Sequence, residues 1–118
     1  KGRNTLWILF YKKYLIEYTK TGEIKNVFNC DYKDQDHITV ENERSLIISV
    51  GADYNGQNNY LMRIEKDTGN VTRVFRVQDS YAIEGVCIIN STIYVANNGV
   101  FHNAKKYSNS VLLYESGN

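Results

Sequence analysis

The segment Tyr60-Leu61-Met62-Arg63-Ile64-Glu65-Lys66-Asp67-Thr68-Gly69-Asn70-Val71 decides how this chain is read. An apolar run ends in a Thr-Gly turn and then restarts. Tyr14-Leu15-Ile16-Glu17-Tyr18-Thr19-Lys20-Thr21-Gly22-Glu23-Ile24 repeats the opening Tyr-Leu and the turn, and Ser110-Val111-Leu112-Leu113-Tyr114-Glu115-Ser116-Gly117-Asn118 closes the chain in the same way. The turn glycines Gly22, Gly69 and Gly117 stand 47 and 48 residues apart. A second motif keeps the step. His37-Ile38-Thr39-Val40 precedes Ser45-Leu46-Ile47-Ile48-Ser49-Val50, and Glu84-Gly85-Val86-Cys87 precedes Ser91-Thr92-Ile93-Tyr94-Val95-Ala96, with His37 and Glu84 47 residues apart. Self-similarity at a fixed period marks a repeat architecture, in which each unit buries its faces only against its neighbours.

Within each unit the pattern is short runs rich in Val, Ile, Tyr and Phe, separated by turn residues, which is the signature of strands rather than helices. The middle unit predicts strands over 36–42, 45–52, 60–66 and 70–77. Ahead of it, 4–11, 13–20 and 23–30 resemble the second to fourth strands of a unit; after it, 83–89, 92–97 and 110–115 resemble the first three. In Lys66-Asp67-Thr68-Gly69 the glycine supplies the left-handed position of a bulged hairpin loop. No stretch offers a capped amphipathic helix.

The expectation is an all-β chain of β-propeller blades, four-stranded antiparallel repeats of about 47 residues in an incomplete ring. Residues 1–30 form a partial blade (strands b, c and d), 31–77 a complete blade, and 78–118 a partial blade (strands a, b and c). Closed propellers have roughly four to eight blades, and this chain supplies about two and a half. The rest of the propeller, or other chains, is therefore expected to close the ring. The chain starts without Met on a b-type strand and stops at a c–d turn, which favours a fragment of a longer polypeptide. A free-standing β-sandwich of short strands stays open as the alternative, although a sandwich does not require successive units to look alike.

Composition limits the function classes. The 118 residues carry 14 Lys+Arg against 13 Asp+Glu, a formal charge of +1, which gives no field to attract nucleic acid or an acidic membrane surface. No apolar run is long enough for a membrane-spanning helix, and Lys1-Gly2-Arg3-Asn4 does not open a signal peptide. Cys30 and Cys87 lie in apolar runs and are expected as buried thiols rather than as a disulfide or zinc ligands.

The segments Ile83-Glu84-Gly85-Val86-Cys87-Ile88-Ile89, Ser91-Thr92-Ile93-Tyr94-Val95-Ala96-Asn97-Asn98-Gly99 and Asn109-Ser110-Val111-Leu112-Leu113-Tyr114 resemble the YVTN-type β-propeller repeat. That pattern has an EGV turn into the inner strand, a YVAN or YVTN second strand, and N-x-V opening the third. The resemblance is best over 83–118, weaker over 36–77 and partial over 1–30; in the middle unit His37-Ile38 replaces Glu84-Gly85. It implies kinship with SdiA-regulated-like, lactonase-like and gluconolactonase-like propellers, many of them periplasmic or secreted. A shared scaffold does not by itself imply shared chemistry.

In a propeller the d–a and b–c loops share one face. That face would gather Asp31, Asp34, Asp36 and His37 from one loop and Asp79, Ser80 and Glu84 from the next. Asp53, Asn55, Gln57 and Asn58, then Asn97, Asn98, His102 and Asn103, come from the two b–c loops. Ligand-binding candidates are His37, Asp53, Asn55, Glu84, Asn97 and His102, and Glu84, Asp53 and Asn97 are the candidates for a metal. Carboxylates and amide oxygens suit a hard cation such as Ca²⁺, and gluconolactonase-like propellers hold a metal at such a position. The plainer reading is solvated loop and turn chemistry, since the chain has 14 Asn, with His37 a hydrogen-bonded structural residue and His102 exposed beside Lys105 and Lys106. The expected function is a binding module for a protein, glycan or small ligand, with a lactonase-like or metal-assisted hydrolase as the alternative. Asn70-Val71-Thr72 and Asn90-Ser91-Thr92 fit the N-glycosylation pattern and lend slight support to secretion.

Overall fold

The computed structural model describes residues 5–10, 13–30, 32, 35–50, 59–77, 80 and 83–97 with their side chains, and the backbone of 98 and 109–115. These residues form ten strands and no helix. The strands are β1 (Thr5–Phe10), β2 (Tyr14–Thr19), β3 (Ile24–Asn29), β4 (Ile38–Val40), β5 (Ser45–Val50), β6 (Tyr60–Glu65), β7 (Val71–Arg76), β8 (Ile83–Ile89), β9 (Thr92–Asn98) and β10 (Asn109–Glu115). Each falls within two residues of its predicted range. They make three separate antiparallel meanders, β1-β2-β3, β4-β5-β6-β7 and β8-β9-β10, and the sheets do not close into a barrel.

The strand register repeats from sheet to sheet. Tyr14 faces Asn29 and Leu15 faces Phe28 in the first sheet, as Tyr60 faces Arg76 and Leu61 faces Phe75 in the second. Both pairings slip at the same place, between Glu17 and Tyr18 and between Arg63 and Ile64, leaving Lys25 and Thr72 as the extra residues of matching bulges. Another bulge lies between Ile83 and Gly85 and makes Glu84 the extra residue of β8. It absorbs one position. Ile38 faces Ile48 and Val86 faces Val95, so equivalent residues on these inner strands are 48 apart, and His37 is level with Gly85 rather than with Glu84.

Period-two alternation divides the core into two layers. Leu46, Ile48, Val50, Met62 and Ile64 of the middle sheet pack with Leu15 and Cys30 of the first, with Trp7, Leu9 and Phe28 at the margin. On the opposite face Ile47, Leu61 and Val77 pack with Ile83, Ile93 and Val95 of the third sheet. All six residues of β5 are buried, because a sheet lies against each of its faces. Full burial of each such aliphatic side chain is worth about 1.5–3 kcal/mol. The sheets come closest at β4, which lies near β1 on one side and near β8 on the other.

The outer faces of the stack are also apolar. Leu6, Ile8 and Phe10 are 57%, 43% and 46% exposed, with Val27 on the same surface. On the far side of the third sheet Gly85, Cys87, Ile89, Tyr94 and Ala96 line a shallow apolar depression. Cys87 is consequently exposed, contrary to the expectation of burial, because no sheet among the described residues covers its face. Cys30 is a buried free thiol, and burial pushes its pKa up to about 11.

Two charged constellations sit within the sheets. The Glu41 carboxylate accepts two bonds from Arg63, from Nε and Nη2, each 2.7 Å, and a third from the Ser45 hydroxyl at 2.6 Å. Glu17, fully buried at the position equivalent to Arg63, accepts from the Thr5 hydroxyl and the Asn26 amide, each at 2.8 Å. Hydrogen bonds of this kind offset the desolvation of the charge.

Candidate functional site

The site grows from the segment that leads into β4. Asp36 N–H donates to the Ser49 carbonyl at 3.1 Å, His37 N–H donates to the Ser49 hydroxyl at 3.0 Å, and Ser49 N–H returns a bond to the His37 carbonyl at 2.9 Å. Three bonds to one residue of β5 extend the β4 pairing backward by backbone and hydroxyl contacts, and so fix the Asp36-His37 pair against the edge of the middle sheet.

From the neighbouring sheet the bulge in β8 supplies Glu84. A bulge re-aims the side chain of its extra residue, and here the exposed Glu84 carboxylate meets Asp36 and His37: one donor atom from each of the three lies within 4.8 Å of the others. His37 Nδ1 is 3.8 Å from Asp36 Oδ2, with the imidazole 27% and the carboxylate 49% exposed. That nitrogen is buried and has no hydrogen-bond partner among the described residues. The adjacent Gln35 is fully buried, and both of its side-chain polar atoms lack partners among the described residues.

Buried polar groups brace the same end of the sheets. Asn59 donates to the Ser80 carbonyl at 3.1 Å, the Ser80 hydroxyl donates to the Val77 carbonyl at 2.8 Å, and Val77 N–H donates to the Asn59 carbonyl at 2.8 Å. This closed set ties the residue before β6 to the segment between β7 and β8. Ser80 is thereby buried and structural rather than displayed.

Of the residues singled out from the sequence, His37 and Glu84 come together. Asn97 is 2% exposed and faces Ile83 across the ladder, one register position from the bulge. Asp53, Asn55 and His102 lie outside the described residues, as do Asp31, Asp34, Asp79, Gln57, Asn58 and Asn103. Asp36 belongs with His37 and Glu84, although the sequence placed it only among the general loop acids; its signal was its position directly before His37. The glycosylation-pattern residues Asn70 and Asn90 are both exposed, at turns.

No family model matches the chain, and no curated protein matches it. No helix among the described residues is long and apolar enough to cross a membrane. The chemistry open to the Asp36, His37 and Glu84 cluster follows from its atoms. Two carboxylates accept hydrogen bonds or ligate a cation, and a neutral imidazole offers one acceptor nitrogen and one donor. The cluster suits a cation or a polar ligand rich in hydroxyl or amine groups.

Proposed function

We propose that the chain is part of a YVTN-type β-propeller that works as a binding module: its outer sheets join further blades, and the edge bearing Asp36, His37 and Glu84 recognises a protein, glycan or small ligand. The observation that carries this reading is the repeated register, bulge included, in sheets whose stack ends on apolar faces at both sides. Ile8 at the exposed face occupies the position that Ile48 fills in the middle sheet, where it is completely buried against the first sheet. An equivalent face with equivalent residues calls for an equivalent neighbour. A secreted or periplasmic setting fits the resemblance, and exposed Asn70 and Asn90 fit it too.

The test compares Ile8→Lys with Ile48→Lys by sedimentation velocity and urea unfolding. The isolated chain should self-associate through its open faces. Ile8→Lys should reduce that association at a cost within about 0.5 kcal/mol, as for a surface position, whereas Ile48→Lys should unfold the protein. A wild-type chain that stays monomeric at high concentration and binds no hydrophobic dye would contradict the proposal.

A metal-assisted, lactonase-like hydrolase is the second reading, and the convergence of Glu84 with Asp36 and His37 favours it. It requires a lactone-hydrolysing activity that disappears in Glu84→Ala.

A further inference from the structure

We propose that Asp36, His37 and Glu84 form a binding site for a divalent transition-metal ion of Zn²⁺ or Co²⁺ type, clipping the middle sheet to the third sheet. The site uses only residues of this chain and does not depend on the propeller reading. Its donor set is one imidazole nitrogen and two carboxylate oxygens, all within 4.8 Å of one another. Zn–N and Zn–O bonds of about 2.0–2.2 Å in tetrahedral geometry put ligand atoms about 3.3–3.6 Å apart, so atoms up to 4.8 Å apart close by about 1.2–1.5 Å on binding, a distance that side-chain rotation covers. Asp36 and Glu84 are exposed, so an ion from solvent reaches both carboxylates. Three protein ligands leave further coordination positions for water or an exogenous ligand, the arrangement of an open site.

A second observation points the same way. Buried polar atoms are normally satisfied, yet His37 Nδ1 and both polar atoms of the Gln35 side chain have no partner among the described residues, all within three consecutive residues. The unmet imidazole nitrogen belongs to the donor cluster itself. Imidazole selects a borderline cation over Ca²⁺ or Mg²⁺, which take oxygen donors, so the preferred ion differs from the Ca²⁺ suggested by carboxylates and amides alone.

Because Asp36 and His37 are pinned to β5 while Glu84 belongs to β8, an ion held by all three binds the folded chain alone and stabilises it. Calorimetric titration of the full chain with ZnCl₂ should show one ion per chain, saturating well below about 1 mM, the range of the weakest protein cation sites. CaCl₂ should bind more weakly, and the thermal midpoint should rise with Zn²⁺. Glu84→Gln and His37→Ala should each weaken binding by about tenfold or more, while Glu23→Gln, at the exposed turn between β2 and β3, should bind as the parent does. Should a variant fail to fold, imidazole NMR of the parent decides. Zn²⁺ should shift the His37 signals before those of His102, the other histidine. Absence of saturable binding up to about 1 mM, equal binding by the folded Glu84→Gln and His37→Ala variants, or a response confined to His102 would overturn the site.

Discussion

Gly22 and Gly69 hold the same left-handed backbone, with φ of +91° and +76°, in equivalent hairpin turns, but their surroundings differ. A Cβ on Gly22 would meet no atom within 4 Å, whereas one on Gly69 would fall 2.5 Å from Cγ of Phe28 in the preceding sheet. Phe28 stacks on Trp7, with ring centroids 6.4 Å apart, so its ring is not at liberty to retreat. Gly22→Ala should therefore cost only the left-handed strain, about 1–2 kcal/mol, and Gly69→Ala about 1–3 kcal/mol more for overpacking. Urea unfolding of the two variants measures the difference; equal losses would mean that Phe28 gives way freely. The left-handed turns at Gly22 and Gly69 were legible in the sequence because each Gly followed a Thr between two strand-like runs. The Phe28 contact was not, since it joins two units and no local pattern records it.

At the scale of strands and their connections, the Glu41–Arg63 pair links the end of β4 to β6. Burial alone would raise the pKa of Glu41, but the hydrogen bonds from Arg63 and Ser45, with the Arg63 charge, hold it below the ordinary carboxylate range. A carboxylate with a lowered folded pKa adds stability that is complete above its unfolded value and is lost as pH falls through the folded one. The contribution should persist above about pH 4.5 and fade in more acidic solution. Glu41→Gln should lose about 1–3 kcal/mol at neutral pH and show a flatter decline below pH 4.5, as followed by urea midpoints across pH. The position occupied by Arg63 holds Glu17 in the first sheet, so both sheets carry a charged residue there and satisfy it with different partners.

The strands themselves were readable, because β-branched and aromatic residues alternate between turn signals and the pattern recurs. The bulges were not: one extra residue changes which neighbour a strand position meets while leaving its local composition ordinary. This is why His37 and Glu84 could be picked out separately as residues at the entry to inner strands. The bulge at Glu84 brings the two together and admits Asp36 to the group, and nothing in residue type announces it.

For the whole molecule, stacking rather than closure sets the order of stability. In a linear array each unit draws stability from its neighbours, and among the described residues only the middle sheet has one on each face. Amide hydrogen exchange should be slowest in β5 and β6, faster in β2, and faster again in β1, the edge strand whose residues are at best half-buried. Mass spectrometry of peptic fragments reads this gradient; uniform protection across the three sheets would show that the stack opens as one unit instead. The two end surfaces have unlike relief. One presents the bulky Leu6, Ile8 and Phe10, and the other a hollow floored by Gly85 and Ala96. Projections against a hollow favour a head-to-tail joint over a two-fold one. Growth from such ends has a direction, and the rotation carrying each sheet onto the next decides between a closed ring and an open spiral.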